Sequence, residues 1–410
     1  MVFDRRQVVT GLGAAFGVLG VSPWSKARAS EVWTAPGAGD TRLVVINLRG
    51  GMDGLAALAP YGDPLYRKLR PALALPAPGS GGDAALKADG LFAFHPRLKN
   101  LHAMFGRGEA LPVQSVALPY HTRSHFEAQD ILSNGSLSSR LRTGWLNRAL
   151  TVLPGPAGSD ADIRPAVSVG ALMPLMLRGE GQATSWSPFG SAKIDARFGT
   201  TLGDLYADDP LFARLWSDAE AAEVLAARAG LNDGAQDQSE SFGGIMKMAA
   251  AMLTANQGLR VVSIDTQGWD THASQGVLDG DLPTLFGELD DGFGVFQASL
   301  DADLWRRTVV VLVTEFGRAV RSNGTRGTDH GTAGLVLLLG GAVHGGRVAG
   351  DWRGLKEADL YEGRDLFPAV DMRAVLKSVL AAHMGIAPAP LDDHVFPDSR
   401  GVKPLDGLIA

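Results

Sequence analysis

The chain has 410 residues, no cysteine and a formal net charge of −6 at pH 7. Without thiols there is no catalytic cysteine, thiolate metal site, iron–sulfur cluster or disulfide, and no sulfatase nucleophile made from cysteine. The acidic balance argues against nucleic acid as a partner, for which a basic surface is expected.

Residues 1–29 read as an export signal. Asp4-Arg5-Arg6-Gln7 precedes an apolar run from Val8 to Val21, and Ala27-Arg28-Ala29 offers an A-x-A cleavage site before Ser30. The run is shorter than the roughly 20 residues a bilayer span requires, so no permanent membrane span is expected. The paired arginines point to the twin-arginine route. That reading predicts the twin-arginine translocation machinery as a partner and a periplasmic or secreted location.

Residues 30–410 are expected to form a single α/β domain. The apolar runs Leu43–Leu48, Val113–Leu118, Val261–Ile264, Thr308–Val313 and Leu335–Leu339 predict buried parallel strands. Helical spacing joins Leu282, Leu285, Phe286, Leu289, Phe293, Phe296 and Leu300, and again Val375, Leu376, Val379, Leu380 and Met384. The second of these helices is predicted to start at Asp371 as N-cap and stop at Gly385. Strands alternating with such helices imply a three-layer α/β/α sandwich with a mostly parallel central sheet. Pro76–Gly90, Leu153–Asp160 and Gly230–Glu240 read as loops. The helical patch Asp209–Ala229 predicts a helical insertion, about 154–240, over one face.

Ligands of open α/β sheets sit outside the carboxyl ends of the strands. The residues there are Arg49-Gly50-Gly51-Met52-Asp53-Gly54, Asp265 to His272 and Thr314-Glu315-Phe316-Gly317-Arg318. A fourth polar segment, Gly327-Thr328-Asp329-His330-Gly331-Thr332, lies before its strand instead. Each has an ordinary alternative: Asp53 as a turn residue, Glu315 paired with Arg318, Asp329 and His330 in a capping turn. Their joint occurrence is what points to a divalent metal held by Asp53, Asp270, His272, Glu315, Asp329 and His330. Carboxylates with imidazoles suit Zn²⁺ or Mn²⁺; Mg²⁺ or Ca²⁺ would suit if the histidines stood outside the ligand set.

A further segment runs from Tyr120 to Asp130 and contains Thr122-Arg123-Ser124-His125. Ser124 with Glu127 reads as a capping box opening a helix. The same placement sets a hydroxyl beside free N–H groups where an oxyanion can be held. Arg123 could grip a phosphate or sulfate bidentately. Thr122 and His125 are the substrate-binding candidates beside it.

LRGGMDGL (48–55), FHPRLKNL (94–101), RSHFEAQD (123–130), GWDTH (268–272), TEFGR (314–318) and GTDHGTAG (327–334) together resemble a bacterial family catalogued as domain of unknown function 1501. The resemblance runs from about Arg42 to Gly385, and it implies a remote relationship to the alkaline phosphatase and sulfatase superfamily. From that relationship follow a metal-binding Asp53, a Ser124 nucleophile with Thr122 as substitute, and metal ligands at Asp270, His272 and His330. Glu315-Phe316 stands where the superfamily pattern has Asp-His. The implied activity is metal-dependent hydrolysis of a small-molecule or polymer phosphate or sulfate ester, with Ser124, Arg123 and Arg318 as the catalytic set. The alternative is an exported binding protein that keeps the fold and one metal.

Overall fold

Short, continuously apolar runs can be buried on both faces, and here they assemble into one nine-stranded sheet. The computed structural model describes residues 40–154, 164–170, 172–188, 196–231 and 241–410. The signal read at 1–29 lies outside them. The strands in chain order are β1 (Arg42–Leu48), β2 (Leu58–Ala59), β3 (Leu86–Lys87), β4 (Ala93–Phe94), β5 (Ala110–Ala117) and β6 (Ala166–Val169). They continue with β7 (Ala183–Trp186), β8 (Val261–Thr266), β9 (Thr308–Val313), β10 (Gly334–Leu339), β11 (Ala349–Gly350) and β12 (Val370–Asp371). The main sheet has the order β11-β5-β10-β9-β1-β8-β6-β7, with β12 also paired to β5. The short strands β2, β4 and β3 form a separate antiparallel sheet.

Successive strand side chains point to opposite faces, and the sheet feeds two cores accordingly. Val44, Ile46, Val262, Ile264, Val310 and Leu312 pack with helices Lys99–Gly106, Phe242–Ala255 and Asp281–Ser299. Leu43, Val45, Val261, Val309, Val311 and Leu338 pack with helices His125–Asn134, Trp145–Val152 and Met372–Ser378. The expected three-layer α/β/α sandwich is therefore present. The helix from Met372 is capped as predicted, Asp371 accepting from the N–H of Arg373. It passes through a wider π turn at Val379–His383 and ends before Gly385, which takes a left-handed φ of 75°.

Two expectations are corrected. β10 was expected to be parallel, but it runs antiparallel to both β9 and β5. A parallel return needs a crossover, usually a helix; residues 314–333 form no helix, and the chain turns back from the edge it has just reached. The 154–240 segment is more than a helical cover. It carries helix Pro210–Arg228, with Asp209 capping Leu211 and Phe212, but it also supplies β6 and β7. These extend the sheet parallel to β8. Among the described residues no helix is long and apolar enough to cross a membrane.

Candidate metal centre

The reversed strand decides which loops meet. β1, β8, β9 and β5 deliver the segments that follow them to one edge of the sheet. Because β10 runs the other way, the segment before it reaches the same edge. That is why Gly327–Thr332 joins the others although it precedes its strand. The loops pack backbone against backbone, which explains their glycines. Gly50 has φ 128°, and a Cβ there would lie 2.5 Å from the Asp270 nitrogen. A Cβ on Gly331 would overlap the carbonyl carbon of Arg318.

Donor atoms of His125, Asp270 and His330 lie within 4.8 Å of one another. His125 Nε2 is 2.9 Å and His272 Nε2 2.8 Å from His330 Nε2. Asp270 Oδ1 lies 3.1 Å from His272 Nε2 and 3.2 Å from His330 Nε2, and Oδ2 lies 3.4 Å from His125 Nε2. His125, His330 and Asp270 thus converge on one point, and His272 lies against His330 and Asp270 at its rim.

The atoms behind them fix their orientation. His125 Nδ1 is 2.7 Å from Glu315 Oε1, and His330 Nδ1 donates to the Arg123 carbonyl at 3.0 Å. Both bonds turn an Nε2 lone pair inward, the usual arrangement behind a metal-binding histidine. The Arg123 backbone takes a left-handed φ of 62° in presenting that carbonyl. Glu315 is buried; burial pushes its carboxyl up, but bonds from His125 and the Gly50 N–H outweigh this and hold it below the ordinary range. The Glu315 carboxylate in turn raises His125. Burial and the neighbouring charges of His125 and Arg318 lower His330. For Asp270, burial raises the carboxyl and the Arg318 guanidinium more than reverses it.

The remaining predicted residues fall elsewhere. Asp53 stands apart from the cluster and is fully buried. Its Oδ1 accepts from the Leu55 N–H at 3.2 Å, and its Oδ2 from Arg70 at 2.6 Å and Gln275 at 2.7 Å. Glu315 sits behind His125 rather than at the point of convergence. Asp329 flanks the cluster, 3.7 Å from His272 Nδ1, and accepts from Asn323. Arg123, expected to grip an oxyanion, is held by Glu362 at 2.6 Å and by buried Asp365 at 2.8 Å. Thr332 also donates to Asp365.

Arg318 is consumed as well. Its Nε and Nη atoms donate to the carbonyls of Gly50, Gly51, Trp269 and Thr328, and to Asp270 at 2.6 Å. It ties three site loops together and aims Asp270, instead of facing a substrate. Ser124 occupies the N-cap of helix His125–Asn134, yet its side chain makes no capping bond, and Glu127 accepts from the Tyr120 hydroxyl. The capping box is thus present in position only. Thr122 is exposed beside it. His125 was read as a substrate contact; its place in the cluster makes it a candidate donor for a metal. A histidine one residue into a helix carries no sequence signal of that role.

A three-layer α/β fold with a histidine–aspartate cluster at the strand ends defines a candidate metalloprotein. Residues 108–396 match the profile of the family described as "Protein of unknown function (DUF1501)", and the chain belongs to that family. No curated protein matches it. Among solved structures it is similar to the lipoteichoic acid synthase LtaP from Listeria monocytogenes. The identity is 9%, the TM-score 0.35, and the likeness covers 88% of this chain and 75% of that one.

Proposed function

We propose that this protein is a metal-dependent hydrolase of phosphate or sulfate esters that works outside the cytoplasm. The observation that carries the reading is the inward convergence of His125, His330 and Asp270, with His272 against them, beside a hydroxyl that makes no capping bond. Ser124 lies between two residues tied to that cluster: the Arg123 carbonyl holds His330, and the His125 ring is part of it. A divalent ion, when bound there, supplies positive charge that favours ionisation of a hydroxyl and neutralises ester oxygens. In the proposed reaction the Ser124 oxygen, giving up its proton to solvent, attacks phosphorus or sulfur in line while the bond to the leaving alcohol breaks and that oxygen takes a proton from water. A water then attacks the same phosphorus or sulfur, breaks its bond to the Ser124 oxygen and restores the serine hydroxyl. Free N–H groups at the start of helix His125–Asn134 face the developing negative charge.

The test is an ester panel with the metal-loaded wild type and Ser124→Ala. The nucleophile reading expects turnover by the wild type and at least a 10³-fold loss in the variant, roughly the scale of removing a nucleophile. Because Ser124 makes no capping bond, its metal content and melting temperature should barely change. Undiminished turnover by Ser124→Ala would overturn that role, and Thr122→Ala is the control for a neighbouring hydroxyl.

One observation favours a second reading, a binding protein that holds a metal without turnover. Both arginines expected to steady a transferred group, Arg123 and Arg318, are engaged within the protein. Failure of the wild type to cleave any phosphate or sulfate ester would favour it.

A further inference from the structure

Two carboxylates at the strand ends, Asp53 and Glu315, are close enough in sequence to the cluster's loops to suggest a second ion, but their bonding argues otherwise. Both oxygens of Asp53 are taken, with the Arg70 guanidinium supplying the positive charge against it. Arg70 is locked there by the carbonyls of Ala319 and Val320. Glu315 Oε1 accepts from the Gly50 N–H at 2.9 Å and His125 at 2.7 Å, and Oε2 from the Thr314 hydroxyl at 3.0 Å. Each carboxylate thus already accepts three hydrogen bonds, and the charge of Asp53 is matched by Arg70 and that of Glu315 shared with His125, which leaves little for an ion.

Proton bookkeeping points the same way. With its Nδ1–H given to the Arg123 carbonyl, neutral His330 has one lone pair at Nε2. Two other Nε2 atoms lie within 2.9 Å of it, and one lone pair can accept only one in-line N–H. Donors bound to a common ion at about 2.0–2.1 Å, the range for imidazole on Zn²⁺, would stand about 3 Å apart. His125 Nε2–H can donate to the His330 lone pair and His272 Nε2–H to Asp270 Oδ1 at 3.1 Å. This leaves the Nε2 atoms of His272 and His330 2.8 Å apart with no bond between them, a contact that a cation would relieve.

We infer that the centre is mononuclear and nitrogen-rich: one ion bound by Nε2 of His125 and His330 with an oxygen of Asp270, His272 at its rim, and Glu315 as the positioning residue of His125. This rests on the metal-binding part of the proposed function and not on ester cleavage. Imidazoles outnumbering carboxylates selects a borderline transition ion such as Zn²⁺ over Mg²⁺ or Ca²⁺, which prefer oxygen.

The experiment titrates the chelator-stripped mature chain with Zn²⁺, Co²⁺ and Mg²⁺, following calorimetry, elemental analysis and the Co²⁺ absorption spectrum. One equivalent of Zn²⁺ per chain is expected, with millimolar Mg²⁺ unable to displace it. Glu315→Gln should keep one ion, bind it 10–100-fold more weakly, and shift the Co²⁺ spectrum as the His125 ring loses its orienting carboxylate. Asp53→Asn should leave the stoichiometry at one. Two equivalents in the wild type, displacement by Mg²⁺, or complete metal loss in folded Glu315→Gln would overturn the inference. The wild-type stoichiometry decides even if a variant fails to fold. One bound ion without any ester turnover would sink the hydrolase reading and leave this one standing; no ion at all would sink both.

Discussion

His95 and His383 are buried imidazoles that stand outside the histidine–aspartate cluster, and each is committed to neutral bonding. His95 donates from Nε2 to the Val277 carbonyl at 2.6 Å while Nδ1 accepts from the Arg97 N–H; His383 donates from Nε2 to the Arg42 carbonyl at 2.8 Å. Burial lowers both to about 4, against an ordinary value near 6.5. Between those limits the unfolded chain binds protons that the folded one does not. The stability this provides is whole above about pH 6.5 and is lost as pH falls towards 4. At pH 4.5 each ring should account for about 2 kcal/mol of the loss. His383→Gln keeps an N–H donor but does not titrate. Urea unfolding at pH 7.5 and 4.5 should therefore show the wild type losing about 2 kcal/mol more than the variant. Equal losses would contradict the assignment. Residue types at the centre were legible in the sequence, since Asp270, His272 and His330 stand in short glycine-flanked motifs. What Asp53, Arg123 and Arg318 bond to was not legible. Asp365 and the Gly50 carbonyl are more than 200 residues from the arginines they hold, and even the nearer partners Arg70 and Thr328 lie at separations that no helix or strand period encodes.

At the scale of elements, apolar continuity located β1, β8 and β9 within a residue or two at each end. The runs are long and have no competing helical period. Strand direction was not written in β10. Leu335–Leu339 is as apolar as a parallel strand, and only the lack of a crossover helix between Val313 and Gly334 turns it round. That reversal brings His330 to the carboxyl ends of its neighbours. β6 and β7 escaped notice because AVSV and ATSW are four residues long and mix small with polar side chains. Their place in the sheet comes from pairing with β8, not from their own pattern. The helix start at Ser124 was legible as a cap signal, but the tertiary context uses the position differently: the hydroxyl makes no capping bond and faces Tyr120 instead.

For the whole molecule, the three layers hold five chain segments at one sheet edge, and the cluster exists only because they are held there together. A metal bound by residues so far apart in sequence also stabilises the fold, because the unfolded chain cannot assemble the site. Export is the other whole-molecule expectation. It rests on Arg5-Arg6, the apolar run and the Ala27–Ala29 cleavage pattern. Changing both arginines to lysine should leave uncleaved precursor in the cytoplasm of the native host, followed by fractionation and immunoblot. Normal appearance of the mature protein outside the cytoplasm would remove the twin-arginine assignment. The central claim is that His125, His330 and Asp270, with His272 beside them, bind a metal, and elemental analysis of purified wild type beside His330→Ala and Asp270→Ala tests it most directly. The account predicts bound transition metal in the wild type, and loss of that metal with a lowered melting temperature in both variants. Equal metal in all three, or none in a wild type purified without chelator and offered Zn²⁺, would contradict it.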